Sequence, residues 1–209
     1  MNRNIRGFSL IELMISMAIF LFMTTVMLYE YPDSVMRINL ANLTHKFALL
    51  IREAQVRGSA IDSKNSAVSG YGVYVTSSNK SQIIFFSDFP NGTLVNGILI
   101  GDSVYSTNPV DEMASVLNLP NGYSIAKLCL GNGWPFTCDN SLSPNLTSLT
   151  ISFQRPNPQA LIYANNTTLS TLGGACFELR SPKAPNIGHI RSVQIYNSGR
   201  IITSSVGCN

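Results

Sequence analysis

The chain begins with a short polar, basic stretch, Met1–Gly7, and then turns apolar for twenty-one residues, Phe8–Leu28 (FSLIELMISMAIFLFMTTVML), with Glu12 as the one charge. As a helix, a run of that length spans about 30 Å, the thickness of a bilayer core. Arg3 and Arg6 precede it, so the positive-inside rule predicts Met1–Gly7 in the cytoplasm and the rest of the chain outside. A secretory signal calls for a small-residue cleavage site after the run, and Met23–Tyr31 (MTTVMLYEY) offers none. A plain signal anchor fits the length but gives no reason for Glu12. A carboxylate inside a membrane costs a few kcal/mol unless paired, which marks Glu12 as a functional position.

Glu30-Tyr31-Pro32 interrupts the pattern. Proline removes one helical hydrogen bond, so the sequence predicts either a kink at Pro32 or a break between two helices at Tyr31–Ser34. From Ser34 the helical period resumes. Met36, Leu40, Leu43, Phe47, Leu50 and Ala54 form one apolar stripe, while Arg37, Lys46, Arg52 and Arg57 mostly occupy other, solvated faces. Gly58 is a candidate C-terminal stop. The expectation is one long helix from Phe8 to about Arg57, its second half lying on a globular domain.

Beyond Ser59 the period changes to short β-prone runs. They are Gly72–Thr76, Gln82–Ser87, Tyr123–Leu130, Ser148–Gln154, Leu161–Tyr163, Ala175–Leu179, Ile190–Tyr196 and Arg200–Ser204. Asn197-Ser198-Gly199 is a hairpin-turn candidate, and Leu94–Pro109 and Gly131–Pro144 read as loops. The fold class is therefore α+β, a long N-terminal helix packed on antiparallel sheet. The segments are 1–7, a leader; 8–28, a membrane-spanning helix; 29–58, its amphipathic continuation; and 59–209, an extracytoplasmic β-rich domain.

Composition narrows this reading. Of 209 residues only 12% are charged, and the net charge of +3 falls to +1 once Arg3 and Arg6 leave with the leader. That balance gives no general reason for an acidic partner or nucleic acid. The four cysteines, Cys129, Cys138, Cys176 and Cys208, lie beyond the apolar run, where an even count suggests two disulfides in an oxidising compartment. Three pairings are open. Cys129–Cys138 (closing a short Gly/Asn/Pro loop) with Cys176–Cys208 (tying the chain end to an inner strand) is favoured, and buried free thiols are the competing reading. A zinc site lacks the short cysteine spacing it needs, and His45 and His189 are remote in sequence.

Arg6-Gly7-Phe8-Ser9-Leu10-Ile11-Glu12-Leu13 resembles the cleavage and methylation signature of type IV prepilins and of the pseudopilins of type II secretion. The resemblance implies a prepilin peptidase that cuts between Gly7 and Phe8 and methylates the new amine of Phe8. It also implies other pilins or pseudopilins and an inner-membrane assembly platform as partners, with membrane lipid around the helix before assembly. Each residue has a physical role in that scheme. Gly7 admits a protease to the backbone. Phe8 is a bulky apolar N-terminus. Glu12, one turn on, presents a carboxylate that can meet the Phe8 ammonium of a neighbouring subunit. In an apolar bundle, losing one partner strands the other charge, so the pair would set register. Ile51–Ala60 (IREAQVRGSA) resembles the helix end of H-type pseudopilins and related minor pilins, which implies a minor subunit.

Enzyme chemistry is not expected. No Ser/His/Asp spacing, phosphate-cradling glycine loop or HExxH helix is present, and no cofactor, metal or small-molecule substrate is predicted. Asp88, Asp102, Asp111, Glu112 and Asp139 fall in loop-like sequence. One of them could bind calcium at a surface loop, as in some relatives, but they lack an EF-hand order and read as solvated carboxylates. The N-x-S/T triplets at Asn42, Asn91, Asn145 and Asn166 reflect composition. The alternative function is a pilus-borne binding module, a DNA-uptake receptor or adhesin. Some minor pilins bind DNA through a C-terminal Gly-Arg-x-Arg stretch; here Gly199-Arg200-Ile201-Ile202 lacks the second arginine. Arg191 and Arg200 are the candidate DNA contacts, with Arg180, Lys183 and His189 as neighbours on one edge, and nucleic acid ranks below the other partners.

Overall fold

The computed structural model describes residues 8–60, 68–90, 93–95, 98–107, 111–138, 146–155, 157–168, 173–186 and 188–208. Met1–Gly7, Asn91, Asp139 and Asn145 lie outside the described residues. One helix, α1 (Leu10–Ser59), runs for 50 residues. Pro32 is inside it and breaks nothing, so the two-helix reading of Tyr31–Ser34 is corrected. Proline costs the helix one N–H donor and a steric adjustment, and the long apolar and amphipathic stretches on either side outweigh that.

The strands are β1 (Gly70–Thr76), β2 (Asn79–Asp88), β3 (Thr93–Val95), β4 (Ile98–Ile100), β5 (Met113–Asn118), β6 (Ser124–Gly131) and β7 (Thr137–Cys138). After them come β8 (Ser148–Gln154), β9 (Leu161–Ala164), β10 (Thr167–Thr168), β11 (Gly174–Arg180), β12 (Ile190–Tyr196) and β13 (Ile201–Ser204). Among the described residues they form a six-stranded sheet, β10-β9-β8-β1-β2-β5, a five-stranded sheet, β13-β12-β11-β6-β7, and a β3–β4 hairpin. The pairings are antiparallel. The arrangement is α+β and type IV pilin-like, with α1 packed on β1 and β8 of one sheet and on β11, β12 and β13 of the other.

The buried face of α1 is Leu40, Leu43, Thr44, Phe47, Ile51, Ala54 and Gly58. Ile51 takes the core position that the sequence stripe assigns to Leu50, which is half-buried instead. Phe47 meets Phe177 of β11 edge to face, with centroids 5.0 Å apart. Gly58 is no helix stop. It lies within the last turns, where a Cβ would collide with the Phe153 backbone and stand 2.8 Å from the Phe153 Cβ, so glycine lets helix and β8 touch.

A second, smaller core is built on sulfur. Cys129 bonds to Cys138 and Cys176 to Cys208, closing sequence separations of 9 and 32. All four cysteines are buried with Phe136, and Tyr196 packs at the edge. Cys129 is the direct cross-strand neighbour of Cys138 on β7 and of Cys176 on β11. The chain end is held further by Cys208 N–H donating to Glu178 Oε2 at 3.4 Å and by Phe136 N–H donating to the Cys208 carbonyl at 2.9 Å.

Candidate functional site

The helix divides into two halves by surroundings. From Leu10 to Leu28 every large apolar side chain is exposed, and the first fully buried residue of α1 is Leu40. Each Leu, Ile, Phe or Met left in water forgoes about 1.5–3 kcal/mol of burial, so this segment requires lipid or other helices around it. Its hydroxyls are already satisfied from within. Ser16 donates to the Leu13 carbonyl at 2.9 Å, Thr25 to the Leu21 carbonyl at 2.7 Å, and Thr24 to the Phe20 and Leu21 carbonyls at 3.0 Å. That is the condition for polar side chains to enter hydrocarbon. By length and composition α1 can cross a membrane.

At the start of this segment Phe8 is 87% exposed. Glu12 Oε2 accepts from the Ser9 backbone N–H at 3.3 Å. Ser9 and Glu12 are thus a Ser-x-x-Glu capping pair, a signal readable in the sequence, and the carboxylate also faces the positive end of the helix dipole. Gly7, the residue expected before the scissile bond, lies outside the described residues.

Where α1 leaves the exposed segment, Asp33 is met by Lys183 and His189 of the globular domain and by Arg37 of its own helix. Lys183 Nζ lies 3.1 Å from Asp33 Oδ1, His189 Nε2 3.0 Å from the same oxygen, and Arg37 2.7 Å from Oδ2. His189 is fully buried, and its Nδ1 meets the Ser181 hydroxyl. The hydrogen bond from Lys183, helped by His189 and Arg37, holds the Asp33 carboxyl below its usual range against the opposing effect of burial. This clasp ties the helix beside Pro32 to the β11–β12 connection.

The basic residues weighed for DNA do not form one edge. Lys183 and His189 are engaged by Asp33, and Arg180 by Glu178 at 2.8 Å. Arg191 stands at the start of β12 and Arg200 beyond its far end, lying over the Tyr196 ring at 5.9 Å. At about 3.3 Å per residue along a strand, roughly 17 Å separates the two.

Asp88 and Glu112 are not the solvated loop groups expected, whereas Asp102 and Asp111 are exposed. Asp88 ends β2 at 0% exposure and Glu112 is 2% exposed. One ligand oxygen from each of Asp88, Asp102 and Glu112 lies within 4.8 Å of the others. Ser103 N–H donates to Asp88 Oδ2 at 3.2 Å, and Gln154 Nε2 donates to it at 3.3 Å. Glu112 accepts from the N–H groups of Phe89 at 3.2 Å and Ser106 at 2.8 Å, and Asp102 from Val104 at 3.0 Å. Burial, with Glu112 and Asp102 adding repulsion, pushes the Asp88 carboxyl up to about 7. Burial also raises Glu112, against the pull of its two backbone donors. Sequence reasoning missed this cluster because hydrophobic period says nothing about the burial of a polar residue at a strand end. Gly101 was the available signal: a Cβ there would run into the Asp88 carboxylate.

Compared with known families, residues 2–28 match the model of the prokaryotic N-terminal methylation motif. Comparison with curated proteins and with solved structures gives no match.

Proposed function

We propose that this chain, which carries the N-terminal methylation segment and the fold of a type IV pilin or pseudopilin, is a structural and minor filament subunit rather than an enzyme. The observation that carries the reading is the bare apolar half of α1, Leu10–Leu28, capped by a single carboxylate and joined to a β domain whose core contains none of its side chains. Such a surface is stable in lipid and, on extraction, among other copies of the same kind of helix. A prepilin peptidase cuts between Gly7 and Phe8 and methylates the Phe8 amine. The chain then waits in the inner membrane with its N-terminus in the cytoplasm. An assembly platform draws it into a filament, where the Phe8 ammonium of one subunit meets Glu12 of another. Methylation keeps the positive charge and so preserves that pairing. The helix end at Ile51–Ala60 and the disulfide-bonded domain support the minor role.

Because Glu12 also caps its own helix, two substitutions separate the roles. Glu12→Gln keeps an oxygen acceptor for the Ser9 N–H and removes the charge; Glu12→Ala removes both. Both variants should insert and be cleaved, and neither should appear in sheared filament fractions probed with antibody. Helicity in micelles should fall only in Glu12→Ala. Wild-type incorporation of Glu12→Gln would overturn the reading.

A further inference from the structure

We propose that Trp134 of one copy of this chain seats in an apolar groove at the base of a second copy's sheet domain, a head-to-tail contact that fixes the axial step between them. The inference rests on the filament reading above. The two surfaces lie at opposite ends of the domain. β6 starts beside Tyr123, whose hydroxyl donates to the Met36 carbonyl of α1 at 3.3 Å, and ends at Gly131, where the loop carrying Trp134 begins. At that far end Asn132 Oδ1 accepts from the Gly173 N–H at 2.7 Å, and Asn197 N–H donates to the Gly173 carbonyl at 3.0 Å. Gln55 Nε2, in the last turns of α1, donates to the nearby Gly199 carbonyl at 3.0 Å. Met36 and Gln55 stand about 28 Å apart along the helix axis.

Trp134 has the character of an anchor. Among the described residues of the sheet domain it is the most exposed large apolar side chain, at 60%. Its loop is nevertheless fixed. Cys129–Cys138 closes the base, buried Phe136 packs on Tyr196, and Asn132 is held by Gly173. A rigidly mounted indole loses little entropy on docking, and tryptophan is enriched at interface hot spots. The receiving groove, of about 440 Å³, is lined by Tyr31, Pro32, Val35 and Met36 of α1 and by Tyr123 and Pro182 of the domain. That is within the ~300–1,000 Å³ of pockets that enclose a small molecule, ample for one indole. The groove begins at Tyr31, just beyond the bare apolar rod, so it continues the surface already given to helix packing. Two different patches displaced along α1 make a contact that does not close on itself. Two copies suffice for one such contact, so a minor subunit can make it. In a membrane the rods share one depth, which sets Trp134 and the groove at different heights. The contact therefore forms only when extraction staggers the subunits.

The test puts the photo-cross-linker p-benzoylphenylalanine in place of Trp134 in the full-length chain, expressed in its native host. Sheared filaments and membranes are irradiated separately. A covalent dimer should appear in the filament fraction and not in membranes, its cross-link mapping by mass spectrometry to Tyr31–Met36 or Asn121–Tyr123 of the second copy. Asn39 is exposed at the edge of the groove, so Asn39→Trp should fill the groove and leave the thermal midpoint unchanged. With that substitution the dimer should fall at least ~tenfold, as when an interface loses an aromatic anchor. The proposal is overturned if the chain is present in filaments without the dimer, or if the cross-link maps elsewhere on the second copy. Cross-linking to a different protein or to a glycan overturns it equally. Those outcomes leave the filament reading standing, whereas absence of the chain from sheared filaments sinks both.

Discussion

Gly58 and Gly133 are both glycines outside the left-handed region, yet they differ in what an added methyl would meet. At Gly58 it would collide with the Phe153 backbone; at Gly133 there is nothing within 4 Å. Gly58→Ala should therefore destabilise the domain by about 1–3 kcal/mol through overpacking, whereas Gly133→Ala should stay within about 0.5 kcal/mol of wild type. Thermal unfolding of the two variants in the same detergent checks both. The identity of such residues is visible in a sequence, but their reason is not: Gly58 reads equally well as a helix stop, because local signals carry no information about β8. Glu12 is the opposite case. Its position one turn into an apolar helix is conspicuous from sequence, and the structure adds the Ser9 cap to the role its charge suggests.

Elements were legible where a hydrophobic period existed. Eight strands and the long helix follow from alternation and from the 3.6-residue stripe, with ends shifted by at most three residues. The strands β3, β4, β7 and β10 are two or three residues long, too short to show a period. β5 (MASVLN) is an edge strand with no buried residue, so its sequence has no apolar side to reveal. Pro32 misleads in the other direction, since the helix continues through it. The contact that braces this region is electrostatic and long-range, joining Asp33 to Lys183 and His189. Asp33 titrates below its usual value, so its contribution is present above about pH 4 and is lost as pH falls through the lowered folded value. Asp33→Asn should lower the thermal midpoint at pH 7 and flatten its decline below pH 4, as a pH series of melts would show. The disulfides can be ranked in the same way. Loop-closure entropy assigns about 3.7 kcal/mol to Cys176–Cys208 and about 2.6 kcal/mol to Cys129–Cys138, so Cys208→Ser should cost more than Cys138→Ser in denaturant unfolding.

At the scale of the whole molecule the chain is an amphiphile, with a bare apolar rod at one end and two sheets closed over the other half of the same helix. Removed from detergent, the full-length protein should self-associate through Leu10–Leu28 with its disulfide-bonded domain intact, a state that light scattering and near-ultraviolet circular dichroism would report together. The opposed cysteines of β6 and β11 have a consequence for biogenesis. Cys129 faces Cys176 across the strand pair, yet the native partner of Cys176 is Cys208, near the far end of the chain. A chain that crosses from its membrane-proximal end onward, its N-terminus retained, presents Cys129, Cys138 and Cys176 to oxidants before Cys208 emerges. During that interval the native register itself brings a wrong pair together. Maturation should then depend on a disulfide isomerase, and in cells lacking one a peptide cross-linked through Cys129 and Cys176 should accumulate in mass spectra of the exported chain.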